Sequence, residues 1–191
     1  MEIKYAGFWR RLAAGLVDGL VFLPNVFILP RLEGVSVPAA IFAFLFGQTC
    51  YYVYTLLLTH RYGGTLGKLA LGIRVRPVDG GELTWRHVLR RSAVDMVISV
   101  MMIFTMIIGV TRVEFSAFAA ADSIARSQMI NNVVPWWAAL NFTYMGWLAS
   151  EFVVIMLNRR RRALHDFIAG TVVIVVRRST TKLDAPVGQP V

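Results

Sequence analysis

Phe8-Trp9-Arg10-Arg11-Leu12-Ala13-Ala14-Gly15-Leu16-Val17-Asp18-Gly19-Leu20-Val21-Phe22-Leu23-Pro24-Asn25-Val26-Phe27-Ile28-Leu29 is the stretch on which the fold turns. Beyond Arg10 and Arg11, Asp18 is its sole charged residue, and the run has the length of a membrane helix. An ionised aspartate at bilayer depth costs at least about 2.5–3.5 kcal/mol on insertion scales, so such a residue pairs or works. At 100° per residue, Asp18 returns to within roughly 20° of Arg11, about 10 Å further along the helix. Two readings follow: a structural Arg11–Asp18 pair, or a carboxylate that takes up a proton or cation. Gly15 and Gly19 lie on the same side and predict a close helix approach that turns Asp18 away from lipid.

Three further runs match this length, which gives spans over about 8–29, 37–58, 92–110 and 134–157. Pro24 is a candidate kink in the first, and Pro135 suits the first turn of the fourth. At 57% hydrophobic and 16% charged, the chain is more apolar than ordinary soluble domains. The first run is too long for a signal h-region and carries Asp18, so it reads as a retained span. Cys50 is the single cysteine; it excludes an intrachain disulfide framework and reads as a small buried hydrophobe.

The formal charge of +9 invites a nucleic-acid reading, but the basic residues flank apolar spans and form no independent basic face. Their placement instead sets orientation. Seventeen of the twenty Lys and Arg residues fall before or in the first turn of span one, between spans two and three, or after span four. Arg31, Arg112 and Arg126 are the exceptions. The positive-inside rule therefore predicts both termini in the cytoplasm.

On that side, Gly63-Gly64-Thr65-Leu66-Gly67-Lys68 opens a short helix and Gly72-Ile73-Arg74-Val75-Arg76 alternates like a strand. Asp79-Gly80-Gly81 supplies a turn, with Glu82-Leu83-Thr84 as the expected hairpin partner. Ala163-Leu164-His165-Asp166-Phe167 reads as another short helix, and Thr171 to Val176 as a strand that joins a small sheet. Residues 179–191 read as a disordered tail. On the outer side, residues 111–133 suggest an interfacial helix.

The remaining polar groups each admit a structural and a functional reading. Arg91 and Asp95 are spaced for direct pairing, and Asp95 also lies near a helix N-terminus. Glu151 has no partner on its own helix and must find one elsewhere or be protonated. His165-Asp166 is no catalytic pair, because adjacent helical residues point about 100° apart. Asp166 is better placed to accept bonds from backbone or from a cytoplasmic Arg. Arg159 to Arg162 reads as a topology anchor that meets anionic lipid headgroups. Gly67-Lys68 is no P-loop, since Leu69 stands where Ser or Thr is required and Tyr62 where the first glycine belongs. The three histidines lack a metal-ligand spacing. The outer halves of the spans hold no ionisable carboxylate or base, only Asn25, Asn141, Thr105 and Tyr144. A complete path through one protomer would need more, and oligomerisation is one way to supply it.

Three patches resemble the RDD family of bacterial membrane proteins, named for an arginine and two aspartates. They are Tyr5 to Ala14 with Asp18; Gly64-Thr65-Leu66-Gly67-Lys68 with Gly72 to Val75 and Arg91; and Arg162 to Asp166 with Ala169 to Val173. The resemblance implies Arg11, Asp18 and Asp166 as the named triad, the bacterial inner membrane as location, and ligand transport or cation/proton exchange as role. Together these readings predict an all-α membrane protein with four transmembrane helices and short cytoplasmic helix and strand elements. The charge cluster would comprise Arg11, Asp18, Asp166, Arg91, Asp95 and Glu151, above a motif of Gly64, Thr65, Gly67, Lys68 and His165. Expected partners are the lipid bilayer, a small cation or solute and further copies of the chain, with no cofactor, metal, enzymatic chemistry or nucleic acid. The rival is a non-transporting scaffold that binds a partner or anionic lipid through its basic cytoplasmic face.

Overall fold

The computed structural model describes residues 4–176. Along the chain come α1 (Phe8–Glu33), α2 (Val37–Tyr62), α3 (Leu66–Ala70), β1 (Ile73–Pro77), α4 (Trp85–Val110), α5 (Phe115–Ala120), α6 (Ser123–Val133), α7 (Trp136–Leu157), α8 (Leu164–Ala169) and β2 (Thr171–Val175). α1, α2, α4 and α7 are each long and apolar enough to cross a membrane. Their outward faces carry Leu16, Leu20, Phe104, Phe142 and Met156, all more than half exposed. Water would penalise such faces and hydrocarbon accepts them, so this is a multi-pass membrane protein in contact with lipid.

The helices outrun the apolar windows that announce them. α4 starts at Trp85 rather than near Ser92, because Arg86, Arg90 and Arg91 form helix well and His87 accepts from the Thr84 N–H at 3.2 Å. α1 continues through Pro24 and Pro30 to Glu33. α2 begins at a Ser36 cap on the Ala39 N–H (3.2 Å) and stops at Gly63, whose φ of 78° suits a residue without Cβ. Pro135 precedes α7 as its cap instead of sitting inside the first turn.

β1 and β2 pair antiparallel, with Val75 opposite Val173, although two of the four spans, α4 and α7, lie between them in sequence. Residues 82–84 form no strand. Both edges of β1 are taken, one by β2 and the other by the Gly63 carbonyl, which accepts from the Val75 N–H at 2.6 Å. The chain then enters the α4 cap directly. Residues 4–6 lie against the outer edge of β2: Val175 N–H donates to the Lys4 carbonyl and Ala6 N–H to the Val173 carbonyl, both at 2.8 Å. The segments before α1 and after α8 therefore meet at one end of the bundle, here the terminal end. Ala6, Ala14, Ile73, Val75 and Val173 form its apolar core. The tail at 179–191 lies outside the described residues.

The far end is closed differently. α5 and α6, two helices where one was expected, pack Phe118 and Ile130 against Ala40, Met106, Val110 and Trp137. Arg126 fastens this cap. It donates to the carbonyls of Pro30 (2.6 Å), Phe118 (2.9 Å) and Ala119 (3.1 Å), and stands 3.5 Å from Glu33. The sparse polarity of this half is absorbed locally: Thr105 donates to the Met101 carbonyl and Asn141 to that of Trp137.

Candidate functional site

Asp166 is the node of the terminal end, with no exposed surface. It sits in the first turn of α8 and receives the Ala163 N–H at 2.9 Å, which closes that turn. Arg11 of α1 pairs with one carboxylate oxygen at 2.7 Å, and Arg91 of α4 pairs with the other. Thr171 of β2 donates to the same carboxylate at 3.3 Å. Burial alone would raise the Asp166 carboxyl, but Arg91, His165 and Arg11 outweigh it and hold it well below the usual carboxylate range. Arg11 also donates to the carbonyl of Arg161 at 2.5 Å, and Arg161 adopts a positive φ of 50°. One carboxylate thus ties α1, α4, α8 and β2 together.

The expected Arg11–Asp18 pair does not form. Helical side chains lean toward their N-terminus, which carries Arg11 away from Asp18 and down to Asp166. Asp18 instead receives three donors from the α2–α3 region: Tyr54 hydroxyl at 2.6 Å, Thr65 hydroxyl at 2.5 Å and Gly67 N–H at 2.7 Å. Arg91 does not pair with Asp95 either. It leans the same way, and basic-before-acidic is the weaker order at this spacing. Asp95 accepts from the Trp147 indole N–H at 2.9 Å. Glu151 meets the His165 Nδ1, so α7 is joined to α8. Burial lowers the His165 pKa, reinforced by the nearby Arg91 and opposed by Glu151 and Asp166. Its Nε2 stands 3.8 Å from Asp166, beyond hydrogen-bond reach, and has no bonding partner among the described residues.

Gly15 and Gly19 do not mediate a close approach within the chain; both are exposed and have open space where a Cβ would stand. The tight contact lies one element away. A Cβ on Gly67 would run into the Ala14 carbonyl oxygen and come within 2.9 Å of the Asp18 carboxyl carbon. Gly67→Ala is therefore expected to lower stability by about 1–3 kcal/mol through overpacking, read as a lowered midpoint in thermal unfolding of purified protein. An unchanged midpoint would show that α1 and α3 are not held this closely. Gly64 is also tight, with the Lys68 stem 3.0 Å from its would-be Cβ.

Between α1, α2, α4 and α7 lies a cavity of about 450 Å³, lined by Arg11, Asp18, Lys68, Arg91, Asp95, Glu151 and His165 among the charged and titratable groups. Tyr51, Tyr52, Tyr54 and Phe22 add aromatic surface, and Gly15 and Gly19 border it. Asp18 and Asp95 each lie about 15 Å along their helices from the helix starts at Phe8 and Trp85, and Asp95 stands about one turn past Arg91, near the basic end of its apolar span. Among the described residues, no basic group lies within 4.0 Å of Asp95 and no carboxylate within 4.0 Å of the Lys68 ammonium. No cluster of three or more His, Cys, Asp or Glu side chains is placed to hold a metal ion among those residues. Tyr54, Thr171 and Arg126 escaped the sequence reading.

The sequence signature described as RDD family matches residues 5–170. The uncharacterized membrane protein YteJ of Bacillus subtilis (strain 168) is 33% identical over 99 residues, covering 47% of this chain and 60% of that protein. The chain thus spans less than two thirds of the length of this curated relative. No solved structure matches the chain.

Proposed function

This chain belongs to the RDD family, and on that footing we propose that it is a carrier of a small solute or cation, with the membrane-embedded cavity as its binding site. The observation that carries this reading is Asp95: a carboxylate inside the third apolar span, bordering a cavity, with an indole N–H as its hydrogen-bond donor and no basic group within 4.0 Å among the described residues. A purely structural carboxylate inside the bundle is expected to be ion-paired, as Asp166 is, or filled with donors, as Asp18 is, whereas Asp95 has one donor among the described residues. The working charge is thus Asp95, with Glu151–His165 beside it, while Arg11, Asp18 and Asp166 hold the frame. The bias in Lys and Arg supports a cytoplasmic terminal end, and the family supports the bacterial inner membrane. No catalytic role is assigned. The apolar cap at the far end and Arg126 beneath it form the barrier that a transport cycle opens.

In proteoliposomes, Asp95→Asn is expected to cut flux at least tenfold, the cost of one lost charged hydrogen bond, while the folded protein still accumulates. A panel of monovalent cations and small amines, acids and amino acids is the assay. Wild-type protein silent across the whole panel would sink the carrier reading.

The rival reading, a scaffold that binds a partner or anionic lipid through its basic face, draws on one observation: the cluster of charged groups is confined to the terminal half, and the far half is sealed by apolar side chains. It predicts no flux, and vesicle binding that rises with anionic lipid content and falls with salt.

A further inference from the structure

The cavity is too roomy for a bare ion. At about 450 Å³ it falls in the range of roughly 300–1,000 Å³ typical of small-molecule sites. Dehydrated cations need converging oxygen ligands at about 2.3–2.6 Å, and the described residues offer no metal-holding cluster. The volume suits an organic solute, and the distribution of charge selects among organic solutes.

Asp166 and Asp18 are filled, while Glu151 and Asp95 each have one hydrogen-bond partner among the described residues. Asp166 is shared by Arg11 and Arg91, Asp18 takes three donors, and Glu151 is bonded to His165. Asp95 keeps acceptor capacity, since an ionised carboxylate accepts about four bonds and its one donor here is Trp147. Tyr51 and Tyr52 line the same cavity and add aromatic surface, a favourable surrounding for a cation. On the basic side, one carboxylate serves two guanidinium groups, and Lys68 has no carboxylate within salt-bridge distance among the described residues. Lys68 lies on α3 at the terminal end, and its charged neighbours are Arg91, Asp18, Asp166 and Arg11. Asp95 lies deeper, one turn beyond Arg91 on α4. Phe22, Val88 and Leu148 supply apolar wall.

We infer that the solute is a small zwitterion with an apolar body, its ammonium group at Asp95 and its carboxylate at Lys68 with Arg91 alongside. This rests on the carrier reading and names its substrate class. A zwitterion partners Asp95 and Lys68 at once, whereas an amine or an acid alone leaves one of these two desolvated without a partner.

The test compares three matched probes on one skeleton: leucine and phenylalanine, the amines left by removing their carboxylates, and the acids left by removing their amino groups. Uptake into proteoliposomes and binding to protein in nanodiscs are both measured. Wild-type protein is expected to favour the amino acids over either counterpart by about tenfold or more. Lys68→Met keeps the packed stem and is expected to bring the preference over the amines to about one, and Lys68→Arg to restore it. Asp95→Asn is expected to remove the preference over the acids. If amines are carried as well as amino acids and Lys68→Met leaves that ratio unchanged, the zwitterion assignment falls while the carrier stands. If none of the probes binds yet an inorganic cation is carried in an Asp95-dependent way, the zwitterion is again excluded and the carrier retained. If nothing in either panel is carried or bound, both fall.

Discussion

Asp166→Asn is expected to be the most damaging single change in this protein. It keeps the shape of the side chain but removes the charge that two guanidinium groups share, leaving Arg11 and Arg91 buried side by side at 8% exposure. Removing one partner from a buried pair costs about 3–5 kcal/mol, and here one deletion orphans two cations. The α8–β2 segment should detach from α1 and α4. Thermal unfolding and monodispersity of purified protein are the measurements. The second variant is Asp166→Asn with Arg91→Met, which removes one orphaned cation and should recover part of the loss, as a double-mutant cycle would show. A single variant as stable as wild type would mean that this ion-pair node does not hold the terminal end together.

Asp18→Ala is the next largest. Three donors would lose one acceptor: the Tyr54 and Thr65 hydroxyls and the Gly67 N–H. Hydrogen bonds to charged groups are worth about 1.5–3 kcal/mol each, and a loss of about 3 kcal/mol is expected after local rearrangement and water entry. The α2–α3 turn should loosen from α1, seen as faster amide exchange at residues 65–67. Asp18→Asn retains an acceptor oxygen and should lose less. Equal loss in both would point to the charge, rather than the bonds, as the stabilising element. No change in either would remove Asp18 from the frame altogether.

Both changes fall on residues that the opening stretch and the closing helix made conspicuous; for Asp166 the kind of partner, backbone and a basic side chain, was legible though not which arginine, and for Asp18 the expected partner was the wrong one. Asp18 stood out because charge in hydrocarbon is costly, a property of one residue in a linear run. Arg11 looked like its partner because helical periodicity treats side chains as pointing straight outward. They lean toward the N-terminus, and that tilt sent Arg11 to Asp166 and Arg91 away from Asp95. Glu82-Leu83-Thr84 failed as a strand for a similar reason: turn chemistry predicts a local hairpin, but a distant strand rich in Val and Ile had already taken the ladder edge. Gly15 and Gly19 matched a packing motif whose use depends on which helix lies opposite.

The number of spans, the excess of basic residues around one set of loops and the presence of acids inside the bundle are all written in the chain, since each follows from local hydropathy or from single-residue solvation. Which acid meets which base is not. That depended on three-dimensional placement: β2 returning to β1 brings Asp166 under Arg11 and Arg91, and the α2–α3 turn brings three neutral donors to Asp18. Asp95 and Lys68 are left facing the cavity by this competition for partners. Ion pairs form between the groups that packing brings within about 4 Å, whatever their separation in sequence, and only the folded chain decides those distances.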